Sequence, residues 1–83
     1  MNTRNRIGVI GIVIEDREQV PKVNSILSVY AEVIVGRMGI PYREKGLSLI
    51  SLIVDGGTDV IGALTGKLGQ IAGVQVKSTL VTR

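Results

Sequence analysis

The chain contains no cysteine and no histidine, and its only aromatic residues are two tyrosines. Disulfide bonds, zinc fingers, thiolate nucleophiles and imidazole acid–base catalysis all require residue types that are therefore missing. Proteins that bind single-stranded nucleic acid stack bases on several aromatic rings, and Tyr30 and Tyr42 are too few for such a platform. These absences disfavour an enzyme, and we expect no catalytic residue, no metal site and no cofactor.

Long apolar runs are also missing, since none approaches the roughly 18 residues that a membrane-spanning helix needs. The first six residues are polar, and the apolar stretch that follows is interrupted by Gly8, Gly11 and then Glu15 and Asp16. This pattern argues against a secretory signal. We therefore expect a cytoplasmic protein that does not enter the membrane.

The 83 residues are enough for one domain, which we place at 1–83, and 45% of them are hydrophobic. The formal net charge is +3, but the basic residues are scattered along the chain and form no dense run. Direct nucleic-acid binding is therefore disfavoured, and weak binding through Arg4, Arg6, Lys77 and Arg83 is the most that we consider. A small domain without disulfides or metals often gains stability by self-association.

The first half of the chain predicts a strand followed by a helix. Residues 7–14 read IGVIGIVI, which is typical of a central strand. Asp16 and Gln19 resemble a capping box that would start a helix, although Pro21 favours a start nearer Val20. The residues expected on the buried side of this helix recur at helical spacing: Val20, Val23, Leu27 and Tyr30.

A hairpin and a second helix are predicted next. Residues 32–42 and 47–54 read as two strands, with Gly46 closing the turn and Pro41 placing the first strand at a sheet edge. Residues 55–57 would end the second strand, and Thr58 would cap a helix that runs to about Ala72. The buried side of this helix would carry Val60, Ile61, Leu64, Leu68 and Ile71.

The last segment alternates cleanly between apolar and polar residues. Gly73 is the expected C-cap of the second helix, and residues 74–82 the expected half-buried edge strand. The whole order is then strand, helix, strand, strand, helix, strand. This order predicts an α+β fold, the ferredoxin-like βαββαβ sandwich, with a four-stranded antiparallel sheet and two helices on one face.

Both predicted central strands are apolar on both of their faces. In residues 7–14 and 47–54 the apolar residues occupy both alternations, whereas two helices can shield only one side of the sheet. The other side would expose a larger apolar patch than soluble monomers usually carry. We therefore expect a homo-oligomer, formed by stacking of sheets or by pairing of strand edges. A monomer with small exposed patches is the alternative.

A second unusual feature is a stripe of glycines on the second helix. Gly62, Gly66 and Gly69 share one face, nearly opposite the buried stripe, and should point away from the sheet. Interior glycines cost roughly 0.5–1 kcal/mol each relative to alanine, so an exposed helix gains nothing from them. We expect this face to be a close contact with a neighbouring subunit or a flat ligand, although tolerated surface glycines remain an alternative.

Three stretches carry a resemblance to a known family: residues 61–77, residues 13–18 (VIEDRE) and residues 39–44 (GIPYRE). With them, nearly the whole chain resembles the iron-only hydrogenase system regulator family. That family consists of small single domains similar to the C-terminal domain of the nickel-responsive regulator and to the ACT domains that sense amino acids. The resemblance implies an ACT-like fold and a regulatory role, without an established activity or site. The nickel-responsive relative holds its metal with histidine and cysteine, which this chain lacks.

On this reading, the protein is a regulatory sensor that binds a small anionic or amino-acid-like ligand between subunits. By analogy with that fold, the pocket would lie around Glu15 and Asp16, where the first strand meets the first helix. The hairpin residues Arg37, Tyr42 and Arg43 of a neighbour would face it, with the arginines holding a carboxylate or phosphate. The alternative is a protein-interaction module without a small ligand. In either case a transcriptional role would require a partner, such as a regulator or a maturation protein.

Overall fold

Four segments rich in β-branched residues form strands, and two amphipathic segments form helices. The computed structural model describes residues 5–82, and the backbone alone for Thr82. The elements are β1 (Asn5–Ile14), α1 (Val20–Val29), β2 (Ile34–Tyr42), β3 (Leu47–Gly57), α2 (Thr58–Gly69) and β4 (Val74–Thr82). Single turns of 3₁₀ helix lie at Arg17–Gln19, Ala31–Val33 and Arg43–Lys45.

The four strands form one antiparallel sheet in the order β2-β3-β1-β4. The predicted ferredoxin-like fold is confirmed, with β1 and β3 in the centre and β4 at one edge. The other edge is β2, which contains Pro41, as predicted; an edge strand tolerates the missing N–H of proline. The hairpin between β2 and β3 closes through Gly46, whose φ of 68° is left-handed, as predicted.

The core lies between the sheet and the two helices, which share one side of it. The strand residues that point to this side alternate with those that point away, as the pleat requires. The buried core consists of Ile10, Ile12, Ile14, Val23, Leu27, Ile50, Leu52, Val54, Ile61, Leu64, Leu68, Ile71 and Val74. Val60, predicted to be buried, is instead 41% exposed.

The start of α1 decides between the two alternatives that the sequence left open. Asp16 Oδ1 accepts a hydrogen bond of 3.0 Å from the backbone N–H of Glu18, and so caps the short 3₁₀ turn before the helix. The helix itself begins at Val20, with Pro21 in its first turn, where no backbone partner is lost. The later of the two predicted starts is confirmed.

Several predicted boundaries were wrong. The strand β3 does not end at Val54, because residues 55–57 continue the ladder opposite residues 5–7 of β1. Consequently Thr58 is the first residue of α2 and makes no capping bond, while Gly57 holds the N-cap position. The strand β2 begins at Ile34 rather than at residue 32, since residues 31–33 form a 3₁₀ turn.

The end of α2 also differs from the prediction. The helix ends at Gly69 with Gln70 as its C-cap, so Gly73 is not the cap. Gly73 has a φ of 77° in the turn that leads into β4, and its carbonyl oxygen accepts a 2.7 Å hydrogen bond from the N–H of Glu15. The left-handed conformation explains the glycine there. Among residues 5–82, no helix is long and apolar enough to cross a membrane.

Candidate functional site

A hollow of about 180 Å³ lies between the start of α1 and the β2–β3 hairpin, on the helix side of the sheet. Ile14, Val20 and Ile50 supply much of its apolar lining. Its polar lining comes from Asn24, Arg37 and Ser48. The hollow is therefore apolar inside, with one charged group on its wall.

Arg37 reaches the hollow because of its register in β2. It pairs with Leu52, a core residue, and so lies on the helix side of the sheet. Its Nη2 donates a 3.1 Å hydrogen bond to Oδ1 of Asn24 on α1. Among the described residues this is the one hydrogen bond of the Arg37 side chain. Since a guanidinium carries five N–H donors in a planar fork, donors remain for an anion.

Gly39 keeps the hollow open. It lies two residues beyond Arg37 on the same side of β2 and pairs with Ile50. A Cβ at this position would meet no atom closer than 3.8 Å, so the space above Gly39 is free. Any larger side chain would fill part of the hollow.

Each of the two acidic residues of the predicted pocket accepts a hydrogen bond within the protomer. Glu15 Oε2 accepts a 2.8 Å hydrogen bond from Nε2 of Gln75 on β4, which is the edge strand opposite to β2. Asp16 caps the 3₁₀ turn, and its Cβ would be 3.4 Å from a Cβ added to Gly73. Within one protomer, Glu15 therefore contacts β4, whereas Arg37 lies on β2.

The two remaining predicted residues lie away from the hollow. Tyr42 pairs with Leu47 and points to the side of the sheet opposite to Arg37. Arg43 begins the exposed 3₁₀ turn at the hairpin tip. One protomer thus brings only Arg37 of the five predicted residues to the hollow. The prediction that they meet across a subunit boundary stays a prediction.

Sequence reasoning missed three residues of this site: Asn24, Gly39 and Ser48. Ser48 lies in the strand β3, and Asn24 lies on an exposed part of α1. A usable signal was the spacing of Arg37 and Gly39, since residues two apart in a strand share a face. The contact with Asn24 joins two elements and has no local signature.

The glycine stripe of α2 is exposed, as predicted. A Cβ at Gly62, Gly66 or Gly69 would meet no atom within 4 Å. The stripe borders a groove whose other wall is β4, including Val76 and Ser78. The prediction that the stripe points away from the sheet was therefore wrong, since the stripe faces the edge strand β4; its predicted role as a contact surface stays a prediction.

The side of the sheet without helices is apolar and uncovered, which confirms the prediction made from the two central strands. Met38 and Ile40 on β2 are 63% and 52% exposed, Ile53 on β3 is 50% exposed, and Val9 on β1 is 49% exposed. We call this side the open face. The polar residues on it include Gln75, Lys77 and Thr79 on β4, and Ser51 and Asp55 on β3.

The basic residues considered for nucleic-acid binding do not form one patch. Arg6 pairs with Gly56 and lies on the helix side, whereas Lys77 pairs with Gly11 and lies on the open face. Arg4 and Arg83 lie outside the described residues. Within residues 5–82, no group of three or more acidic, histidine or cysteine side chains could hold a metal ion.

Comparison with known proteins finds a family and two solved structures of interest. Residues 6–78 match the TM1266-like family, described as iron-only hydrogenase system regulators. The uncharacterized protein TM1266 from Thermotoga maritima is 44% identical, with a TM-score of 0.87 over 93% of this chain and 98% of that one. The apo form of CPII, a nitrogen regulatory PII-like protein from Thiomonas intermedia K12, is 15% identical, with a TM-score of 0.50 over 94% of each chain. The second likeness concerns the fold alone. No curated protein matches the chain.

Proposed function

Because the chain belongs to the TM1266-like family of iron-only hydrogenase system regulators, we propose that it is a cytoplasmic regulatory homo-oligomer that senses a small ligand and has no catalytic activity. The ligand is a small anion of carboxylate or amino-acid type. Binding changes the surface that the oligomer offers to a partner, such as a regulator or a maturation protein.

The observation that supports ligand binding is the position of Arg37. Its guanidinium lies on the wall of an otherwise largely apolar hollow and is held by the amide of Asn24. An arginine binds a carboxylate through two parallel N–H···O bonds, while the apolar lining accommodates a short hydrocarbon body. A hollow of about 180 Å³ suits a ligand no larger than a small amino acid or a short-chain carboxylic acid.

The remaining predicted residues belong to the proposal as contacts from a neighbouring subunit. Arg43 lies at the exposed hairpin tip, and Tyr42 lies beside it on the open face. Both can contact a second copy; Tyr42 does so on the side of the sheet opposite to the hollow, so it contacts the neighbouring subunit rather than a ligand beside Arg37. Glu15 and Asp16 are exposed at the end of β1 and can bind an ammonium group of an amino-acid-like ligand.

The proposal is tested by thermal unfolding against a panel of L-amino acids and of aliphatic carboxylic acids with two to six carbons. A ligand at a hundredfold excess over its dissociation constant stabilises the folded protein by about 2.7 kcal/mol. For a domain of this size each kcal/mol raises the melting temperature by roughly 4–8 °C. We expect at least one carboxylate to produce such a shift.

The matched variants are Arg37→Ala and Arg17→Ala. Both remove an exposed arginine, but Arg17 lies on the 3₁₀ turn and does not line the hollow. We expect Arg37→Ala to abolish the thermal shift and Arg17→Ala to retain it. A panel without any stabilising carboxylate, or an Arg37→Ala variant that binds as tightly as the native protein, would contradict the proposal.

The second candidate is a protein-interaction module without a small ligand. The large uncovered apolar face favours it, because such faces mark protein contacts. Native mass spectrometry of protein purified from its own host separates the two functions. Extra bound mass on an oligomer supports the sensor, whereas a ligand-free oligomer supports the interaction module.

A further inference from the structure

On the open face, each of two glycines lies in the same row of the sheet as a large apolar residue two strands away. On β1 the residues Val9, Gly11 and Val13 point to this face, and on β2 the matching residues are Gly36, Met38 and Ile40. The register places Val9 in the same row of the sheet as Gly36, and Gly11 in the same row as Met38.

Neither glycine has a side chain to fill the space above it. A Cβ at Gly11 or at Gly36 would meet no atom within 4 Å. The depression at Gly11 has a volume of about 280 Å³, and Val13, Leu49 and Lys77 contribute to its walls. A glycine inside a central strand weakens the strand and often marks the close approach of another molecule.

We propose that the open face binds the open face of a second copy. The two-fold axis lies midway between the two sheets and runs parallel to β3. This inference rests on the homo-oligomer of the proposed function and specifies how the copies meet. The axis places β2 of one copy over β1 of the other. Met38 then enters the depression at Gly11 of the second copy, and Val9 covers its Gly36. Because the interface is two-fold symmetric, each contact occurs twice.

The charged residues of the open face lie at the margins of this placement, since Asp55 is one residue beyond Val54, the last β3 residue that pairs with β2, and Lys77 is on β4. With the axis over β3, the three strands β2, β3 and β1 overlap, while β4 falls outside the overlap. The charged Lys77 and its polar neighbours Gln75 and Thr79 therefore remain in water at the rim. A polar rim around an apolar centre is the usual anatomy of a protein interface.

The area is sufficient for a modest dimer. Three strands about 4.8 Å apart and about 30 Å long project an area of roughly 430 Å² per copy. The accessible surface exceeds this projection because the side chains stand above the sheet. The pair therefore buries on the order of 1,000 Å², which is near the lower limit for a specific interface. We expect a dimer that dissociates on dilution.

The first test compares Met38→Glu with Val29→Glu by sedimentation equilibrium. The two side chains are 63% and 75% exposed in the single chain, so neither change removes core packing, but Val29 lies on α1. We expect the native protein and Val29→Glu to show at least twice the chain mass of 8.8 kDa. Met38→Glu buries a carboxylate at two symmetric positions and should weaken the dimer by at least about a hundredfold.

The second test distinguishes the specific face-to-face contact from nonspecific apolar association. Gly11→Leu adds apolar surface, so nonspecific association would become tighter. The proposed stack should instead weaken by at least about tenfold, because Leu fills the space that Met38 of the second copy needs. Adding Met38→Ala to Gly11→Leu should restore most of the affinity. Circular dichroism confirms that each variant is folded.

Three results would overturn the inference: a native protein that is monomeric throughout the micromolar range, a Met38→Glu variant with the native mass, or a Gly11→Leu variant that associates more tightly. A dimer that dissociates with Gly66→Leu but not with Met38→Glu would place the contact at β4 instead. The proposed function fails separately, through carboxylate binding that does not depend on Arg37. A monomeric native protein that binds carboxylates through Arg37 would refute the stack alone.

Discussion

Gly8 and Gly11 occupy the same strand three residues apart, yet alanine should have opposite effects at the two positions. Gly8 pairs with Leu80 of β4 and lies on the helix side. A Cβ at Gly8 would clash with the carbonyl oxygen of Thr79, and would lie 2.5 Å from Cδ2 and 2.9 Å from Cα of Leu80. Two of these three atoms belong to the backbone of β4, so the strand itself must move.

The expected cost follows from this geometry. Overpacking in a well-packed region costs typically 1–3 kcal/mol, and a clash with a paired backbone belongs at the upper end, about 3 kcal/mol. The melting temperature should fall by roughly 12–24 °C for a domain of this size. Gly11→Ala meets no neighbouring atom, and removing a strand glycine should stabilise the fold by roughly 0.5–1 kcal/mol.

The assay is urea unfolding, monitored by circular dichroism. Both substitutions are made in the Met38→Glu background, so that self-association through the open face does not enter the comparison. We expect Gly8→Ala to lower the free energy of unfolding and Gly11→Ala to raise it. Equal unfolding midpoints for the two variants would refute the reasoning, since it rests on the different surroundings of two identical residues.

Two further predictions concern α2. Leu64 is fully buried, so Leu64→Ala should cost 2–5 kcal/mol in urea unfolding, and a loss below about 1 kcal/mol would show that the core is not packed as described. Gly66→Leu should leave the fold intact or stabilise it by a few tenths of a kcal/mol, since it improves helix propensity in open space. Native mass spectrometry should nevertheless show the loss of assemblies larger than the face-to-face pair, or of ligand response. Ala63→Leu is the control on an exposed position outside the groove, and equal spectra for both variants would count against a contact role for the stripe.

The candidate site could be predicted only in part. The sequence predicted that arginine would bind an anion, and this stays a prediction; it also placed Arg37 and Tyr42 together on one hairpin. The register of β2 puts them on opposite sides of the sheet, because they are five residues apart in a strand of period two. Asn24 and Ser48 join the hollow from elements distant in sequence, so no local pattern pointed to them.

The order of elements, the two central strands and the apolar character of the open face could be predicted from the sequence alone. Hydrophobic periodicity is a local property, and a chain with two helices can cover only one side of a four-stranded sheet. The pattern of β4 predicted the strand with its bounds, since Val74, Val76 and Leu80 alternate with Gln75, Lys77 and Thr79.

Tertiary structure alone decided the rest. Where β3 ends depends on how far β1 extends beside it, and where α2 ends depends on the turn that Gly73 makes beside Asp16. The difference between Gly8 and Gly11 likewise depends on the strand and the side chains that lie across from each. These properties arise from contacts between residues far apart in the chain, and such contacts exist only once the sheet has formed.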